Sequence, residues 1–316
     1  MRLLYVSDHP VLEYDETALL FDMGISVWSL MVCQGAEDQR GFLRPKPAIS
    51  SGESQPLESF DAILSSSADW LVENWNKIKT KRVIWRTCGR SNQLTEERMK
   101  PFRGEGLEIV RYSPREASIN GYLGAEAFIR FFKDPEIYQG WTGHRELILN
   151  YTRNMRYRGR ECNLAFLKKI VRGIPFKLVG PQNENIDEPW ASGVVSFNEM
   201  LTDLRTCRAY FYTGTHPACY TLSFVEAWMT GIPVVGLGRG RGSDPQLSGH
   251  GLYEIPDLVE HGRTGFHSDD EVELRQILQD LLHDHSYAEA IGQKGRRAAV
   301  QMFGKDAVLR AWREFL

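Results

Sequence analysis

Chemistry in this chain gathers around one apolar stretch. Tyr220–Val235 reads Y-T-L-S-F-V-E-A-W-M-T-G-I-P-V-V and places a carboxylate, Glu226, among Phe224, Val225, Ala227 and Trp228. An ionised carboxylate in such a setting is costly alone, so a partner is implied. A side chain of this type can accept paired hydrogen bonds from a vicinal diol. Just ahead, Thr221-Leu222-Ser223 offers a hydroxyl N-cap and the backbone N–H groups of a helix start, which is how protein chains receive phosphate. Upstream, Thr152–Gly159 (T-R-N-M-R-Y-R-G) follows a strand and supplies Arg153 and Arg158 as cations for a diphosphate. The plainer readings are an exposed helix glutamate, simple capping at Thr221 and a solvated basic loop.

Other candidates stand further out. His216 precedes Pro217 in the loop before the same helix, and His9 lies in the first loop of the chain. Both are candidates for a catalytic role, with a structural loop histidine as the plainer reading. Arg86, Thr87 and Gly89 end a strand in the N-terminal half and are candidates for the acceptor side. Leu237–Gly242 (L-G-R-G-R-G) is not a P-loop, because no G-K-[ST] follows. No aspartate pair of metal-binding type stands out, so cationic side chains are expected in place of a metal, with no tightly bound cofactor.

The elements that must hold these residues read as α/β. Short apolar runs at Leu3–Val6, Ile25–Val32, Phe60–Leu64, Val83–Trp85 and Leu107–Val110 predict buried parallel strands, with helices at Glu16–Phe21 and Asp69–Lys77. The pattern restarts near residue 145, with strands at Glu146–Tyr151, Phe176–Val179, Ala209–Tyr212 and Pro233–Leu237 and helices at Asn163–Val171, Phe197–Arg205 and Ser223–Met229. Two doubly wound, Rossmann-like domains facing across a cleft are expected, residues 1–141 and 142–316, with the last helix crossing back to the first. In such sheets ligands bind at the carboxyl ends of the strands.

Whole-chain properties narrow the function. With 316 residues, 42% hydrophobic and 25% charged, the chain suits two soluble domains. The formal net charge of -3 argues against nucleic acid as a partner. Five cysteines, none in a C-x-x-C pair, suit a reducing compartment better than a disulfide or zinc framework. No secretory leader and no apolar run long enough to span a bilayer is apparent, so a cytoplasmic protein is expected. The Lys77–Arg82 run (K-I-K-T-K-R) reads as a solvated turn, with peripheral membrane contact as its second reading.

The stretch from about 145 to 316 resembles the retaining GT-B glycosyltransferases with a glycogen-synthase-like C-terminal domain. Glu226, Ala227, Gly231, Pro233, Val234 and Val235 match that family's donor-site helix; Ile255–Gly265 resembles its next loop; Arg153 matches its arginine and Arg158 stands for its lysine. The resemblance implies a UDP- or GDP-type nucleotide sugar as donor. A hexosyl unit would pass, with retention, to the hydroxyl of a saccharide, lipid-linked or other acceptor. Glu226 would then serve the ribose, Arg153 and Arg158 the leaving diphosphate, and the Thr221–Ser223 backbone the phosphate. One departure matters: Ala218 to Thr221 replace the family's first glutamate and glycine pair, and that glutamate normally meets the donor sugar. His216 could take over the role, the sugar could be unusual, or the protein could be a catalytically silent nucleotide-sugar binder. An epimerase on the same fold is a further alternative. In the N-terminal half, Asp8-His9-Pro10 stands where the family has glycines.

Overall fold

The computed structural model describes residues 1–7, 9–30, 50–51, 55–89, 91–156, 164–214, 217–243 and 251–316. Two compact units result: Met1–Phe132 together with Lys305–Leu316, and Lys133–Gly304. The division falls ahead of the glycine-interrupted stretch at 138–144.

The first unit is a seven-stranded sheet of β1 (Arg2–Val6), β2 (Ser26–Ser29), β3 (Ser50–Ser51), β4 (Ala62–Ser65), β5 (Arg82–Arg86), β6 (Glu108–Arg111) and β7 (Ala127–Phe128). Its order is β3-β2-β1-β4-β5-β6-β7 and every pair is parallel. Successive residues of β1 enter opposite cores. Leu3 and Tyr5 join Ala62, Leu64, Ile84 and Val110 on one face, whereas Leu4 and Val6 join Ile63, Val83, Trp85 and Ile109 on the other. Apolar runs without alternation are therefore what a sheet covered on both faces requires. Helix α1 (Pro10–Asp22) covers the first face with Leu19 and Leu20; α2 (Ala68–Ile78) and α3 (Gln93–Gly104) cover the second with Leu71, Trp75, Ile78 and Met99. Helix α3 has no counterpart in the sequence reading. It holds Pro101 and buries little besides Glu96 and Met99, so its apolar period is faint.

The second unit is a six-stranded parallel sheet of β8 (Arg145–Tyr151), β9 (Phe176–Val179), β10 (Ala191–Ser192), β11 (Cys207–Tyr212), β12 (Val234–Leu237) and β13 (Phe266–Ser268), in the order β10-β9-β8-β11-β12-β13. Helices α4 (Leu164–Val171), α5 (Phe197–Thr206), α6 (Leu222–Thr230), α7 (Glu271–His283) and α8 (His285–Phe303) accompany it. Helix α8 lies close on α6. A Cβ at Gly292 would collide with the Gly231 carbonyl, and one at Gly295 would meet Thr264 O at 2.6 Å and Trp228 Nε1 at 2.7 Å.

Helix α9 (Lys305–Phe315) belongs to the first unit. Val308, Leu309 and Trp312 enter the core that contains Leu3 and Tyr5, and Lys305 pairs with Asp22 at 2.6 Å.

Candidate functional site

In the second sheet the winding direction reverses between β8 and β11. Loops leaving these neighbours run to opposite faces, and the crevice they leave is where open α/β sheets take ligands. The loop after β8 is held rigidly. The Asn183 amide donates to Thr152 O (2.6 Å) and accepts the Met155 N–H (2.8 Å), while the Asn154 N–H reaches Pro181 O (2.7 Å). Asn154 takes a left-handed backbone at φ 57°. Gly180 is required beside it, since at φ 150° a Cβ would stand 2.5 Å from the Thr152 carbonyl. Arg153 is exposed on this loop, so its guanidinium is presented at the carboxyl end of β8.

The other side of the crevice is the end of β11 and the start of α6. Thr221 caps α6, its hydroxyl accepting the Phe224 N–H at 3.4 Å and lying 3.0 Å from Ser223 Oγ. Capping leaves the first-turn amides of Leu222 and Ser223 without intrahelical acceptors, as at any helix start. Burial raises the Tyr210 phenol, whose hydroxyl bridges the N–H and carbonyl of Tyr151 (both 3.2 Å) and bonds Ser223. The start of α6 is thereby fixed to the end of β8.

Three buried polar atoms here lack a hydrogen-bond partner among the described residues: Asn150 Oδ1, Asn154 Oδ1 and Thr213 Oγ1. Asn150 and Thr213 are fully buried, and the Asn150 amide bridges β8 to β11 by donating to Phe211 O at 2.7 Å. Buried polar groups are nearly always paired, and these three belong to residues at or just beyond the carboxyl ends of β8 and β11, which makes these strand ends the candidate place for polar ligand atoms.

Glu226 is buried on α6 with 1% of its surface exposed, and its implied partner is Lys133, whose Nζ lies 2.7 Å away and is equally buried. Lys133 Nζ also sits 5.8 Å from the Tyr138 ring centre, and the Lys133 N–H bonds Phe303 O at 3.0 Å. No motif flags this lysine; it lies in a plain F-F-K-D-P stretch. The only sequence signal for it is the need of the Glu226 carboxylate for a charged partner.

The remaining candidates are placed differently. His9 caps α1, with Nδ1 accepting the Leu12 N–H at 3.3 Å. A neutral ring so used carries its proton on Nε2 and acts there as a donor rather than a base. The Arg86 guanidinium, a candidate for the acceptor side, is fully buried in the first unit. It is bound to Glu16 Oε1 (2.8 Å), Ile129 O (2.7 Å) and Arg130 O (3.3 Å), and lies over Phe131 and Trp312. Thr87 is likewise interior, donating to Glu116 Oε2 at 2.7 Å. Gly89, at φ 80°, turns the loop after β5. Arg158 and His216 lie outside the described residues. Among the described residues no group of three or more His, Cys, Asp or Glu is placed to hold a metal ion, and no helix is long and apolar enough to cross a membrane. The Leu237–Gly242 segment ends β12 and makes a short helical turn capped by Asp269, which accepts the Gly240 and Arg241 N–H groups at 2.8 and 2.7 Å.

No family model and no curated protein matches the chain. Solved structures do. Sucrose-phosphate synthase from Thermosynechococcus elongatus matches with a TM-score of 0.69 at 12% identity, over 99% of this chain and 98% of that one. HepE from Anabaena, solved in complex with UDP-glucose, matches with a TM-score of 0.69 at 15% identity and the same coverage. A glycosyltransferase from Rickettsia africae gives 0.67 at 12% identity, over 99% and 97% of the two chains. At these identities the likeness is one of fold, and the chain has the GT-B fold, two Rossmann-like domains of parallel sheet and covering helices.

Proposed function

We propose that the protein is a glycosyltransferase that moves a hexosyl unit from a nucleoside-diphosphate sugar to an acceptor hydroxyl, with retention of configuration. The observation that carries this reading is the switch point of the second sheet. Asn150, Asn154 and Thr213, whose buried polar atoms lack a partner among the described residues, lie at or just beyond the strand ends there, as do the capped start of α6 and the exposed Arg153. Polar atoms without partners, helix-start amides and a cation suit an anionic, hydroxyl-rich ligand better than an apolar one. That HepE was solved with UDP-glucose, and with UDP and glucose, supports a UDP-type donor here, with GDP as the second choice.

In the reaction the bond between the anomeric carbon and the phosphate oxygen breaks, and the acceptor oxygen bonds to that carbon and loses its proton. Charge grows on the departing diphosphate, and stabilising it is the largest catalytic demand on the protein. Arg153, the Leu222 and Ser223 amides and, by its sequence position, Arg158 are assigned to that charge without a metal. Glu226 is assigned to the ribose diol with Lys133 as its counter-ion. At 1% exposure, a diol reaches the carboxylate only if a neighbouring side chain or loop moves. The acceptor is a saccharide or a lipid-linked sugar.

A thermal-shift series with UDP, GDP, ADP and their sugars tests the reading, because a ligand of the folded state raises its melting temperature. At least one nucleoside diphosphate should raise it, and the matching sugar form should be consumed when saccharide acceptors are supplied. If no nucleotide shifts the transition, the proposal fails. Conversion of the donor sugar without transfer or hydrolysis would point instead to an epimerase.

A further inference from the structure

Backbone pairing of β8 with β11 ends at Leu149 and Tyr210. Beyond that point a side chain of β11 takes over. Tyr210 Oη accepts the Tyr151 N–H and donates to the Tyr151 carbonyl, both at 3.2 Å. Tyr210 is fully buried, so water does not compete for these bonds. Tyr151 is anchored at its other end as well. Its phenol donates to Asp203 Oδ2 at 3.1 Å, and Asp203 is held in turn by Lys177 (2.6 Å) and Arg145 (3.0 Å). Arg153 follows Tyr151 by two residues.

A hydroxyl has one proton to give and two lone pairs with which to receive. Tyr210 spends its proton on the Tyr151 carbonyl, so its bond with Ser223 is donated by Ser223. Ser223 then has no proton left for Thr221, whose oxygen is 3.0 Å away, and Thr221 is the donor in that contact. Thr221 can give its proton because its own oxygen receives the Phe224 N–H in the cap. All three hydroxyl protons therefore run one way, from the start of α6 inward to the end of β8. None is left for a ligand. What the helix start still offers is N–H, from the amides of Leu222 and Ser223.

We infer that Tyr210 is the positioning residue for the phosphate end of the donor site. The relay Thr221–Ser223–Tyr210–Tyr151 sets the start of α6 against the loop that bears Arg153, and a diphosphate is received there by backbone amides and Arg153, not by the Thr221 and Ser223 hydroxyls. The assignment to phosphate rests on the nucleotide-sugar reading, and two measurements on the full chain separate them. The first is residue-resolved hydrogen exchange. Tyr210→Phe keeps the ring and removes the hydroxyl, and should speed exchange at the Tyr151 and Phe224 amides, the two ends of the relay, beyond any change at Leu178 on β9. No change at Phe224 overturns the relay. The second is calorimetric titration with UDP, GDP, ADP and their nucleosides, for wild type, Tyr210→Phe, Ser223→Ala and the double variant. Each single change should weaken the diphosphate about fivefold and the nucleoside less than about twofold, and the double change should be no worse than either, since both break one chain. Additive losses, equal loss of the nucleoside, or a loss in Ser223→Ala with none in Tyr210→Phe overturn the assignment; the last would make Ser223 a direct phosphate contact. A wild-type chain that binds none of the three nucleotides overturns the nucleotide-sugar reading, and the exchange rates still decide the relay. Should Tyr210→Phe not fold, Ser223→Ala decides through exchange at Tyr151, which rises if the relay exists and stays as in wild type if it does not.

Discussion

Arg153 and Glu226 carry charge in opposite settings, and their replacements should behave oppositely. Arg153 is exposed, so Arg153→Ala should leave the melting temperature unchanged. The same change should weaken a nucleoside diphosphate by roughly 1.5–3 kcal/mol and spare the bare nucleoside, read by parallel titrations. Equal loss of both would remove Arg153 from the phosphate. Glu226 and Lys133 form a buried pair, in which removing one partner strands the other. Lys133→Met should cost about 3–5 kcal/mol in denaturant unfolding, whereas Lys133→Met with Glu226→Leu should return close to wild type. That stable double variant also tests the ribose assignment: it should lose ribonucleotide binding but keep that of a 2′,3′-dideoxy analogue. Losing neither would leave Glu226 a purely structural anchor of α6. A third residue reports through pH. Burial, opposed by Arg111 and by hydrogen bonding from Thr87, raises the Glu116 carboxyl above its usual value. The folded state thus holds this proton more tightly than the unfolded one, and stability is lost as pH rises from the unfolded value through the folded one. Glu116→Gln should therefore raise the melting temperature at neutral pH and change it little near pH 4.

Elements differ in how plainly they were written into the chain. The strands of both sheets announce themselves because both faces are covered, so L-L-Y-V or A-I-L-S needs no alternation. Helix α3 hides because its buried residues include a glutamate, Glu96, which pairs with Arg111 at 2.5 Å inside the fold. Edge strands β7 and β10 have two residues each, too few for any period. The start of α6 was legible from Thr221, but the buried polar atoms without a hydrogen-bond partner among the described residues, which make it a candidate site, belong to Asn150, Asn154 and Thr213, residues of no motif. Their meaning comes only from strand order, which sequence spacing does not reveal. Lys133 is hidden for the same reason: it meets Glu226 across a long stretch of chain. The α6–α8 contact offers a test at this scale. Gly292→Ala pushes a methyl group into the Gly231 carbonyl, and overpacking of this kind costs about 1–3 kcal/mol. The loss should appear as a lower urea midpoint, with Lys294→Ala on the same helix as the near-neutral control.

At the scale of the whole molecule, doubly wound architecture follows from the repeating strand and helix runs, and the solved glycosyltransferase structures share it. The division at Phe132 and Lys133 does not coincide with the glycines at 138–144, because Lys133 and Tyr138 are already packed into the second unit. Composition could not locate that point, since the lysine that opens the second unit is buried, against the habit of lysines.

The 133–304 segment is continuous and is interposed in a first unit that resumes at Lys305. Its two ends are joined by a backbone hydrogen bond, Lys133 N–H to Phe303 O at 3.0 Å. In the language of gene architecture it is a cassette, entering and leaving its host at one point. Such a piece can be excised without leaving a gap that chain must span, and its ends can be fused to each other to open new ones elsewhere. Expressed alone, residues 133–304 should fold cooperatively and keep the nucleoside diphosphate affinity assigned to the β8–β11 crevice. The host, closed by a short glycine-rich linker from Phe132 to Lys305, should fold without it and bind no nucleotide. Circular dichroism and titration of the two pieces check this, and a fragment 133–304 that stays unfolded would show that the cassette depends on its host.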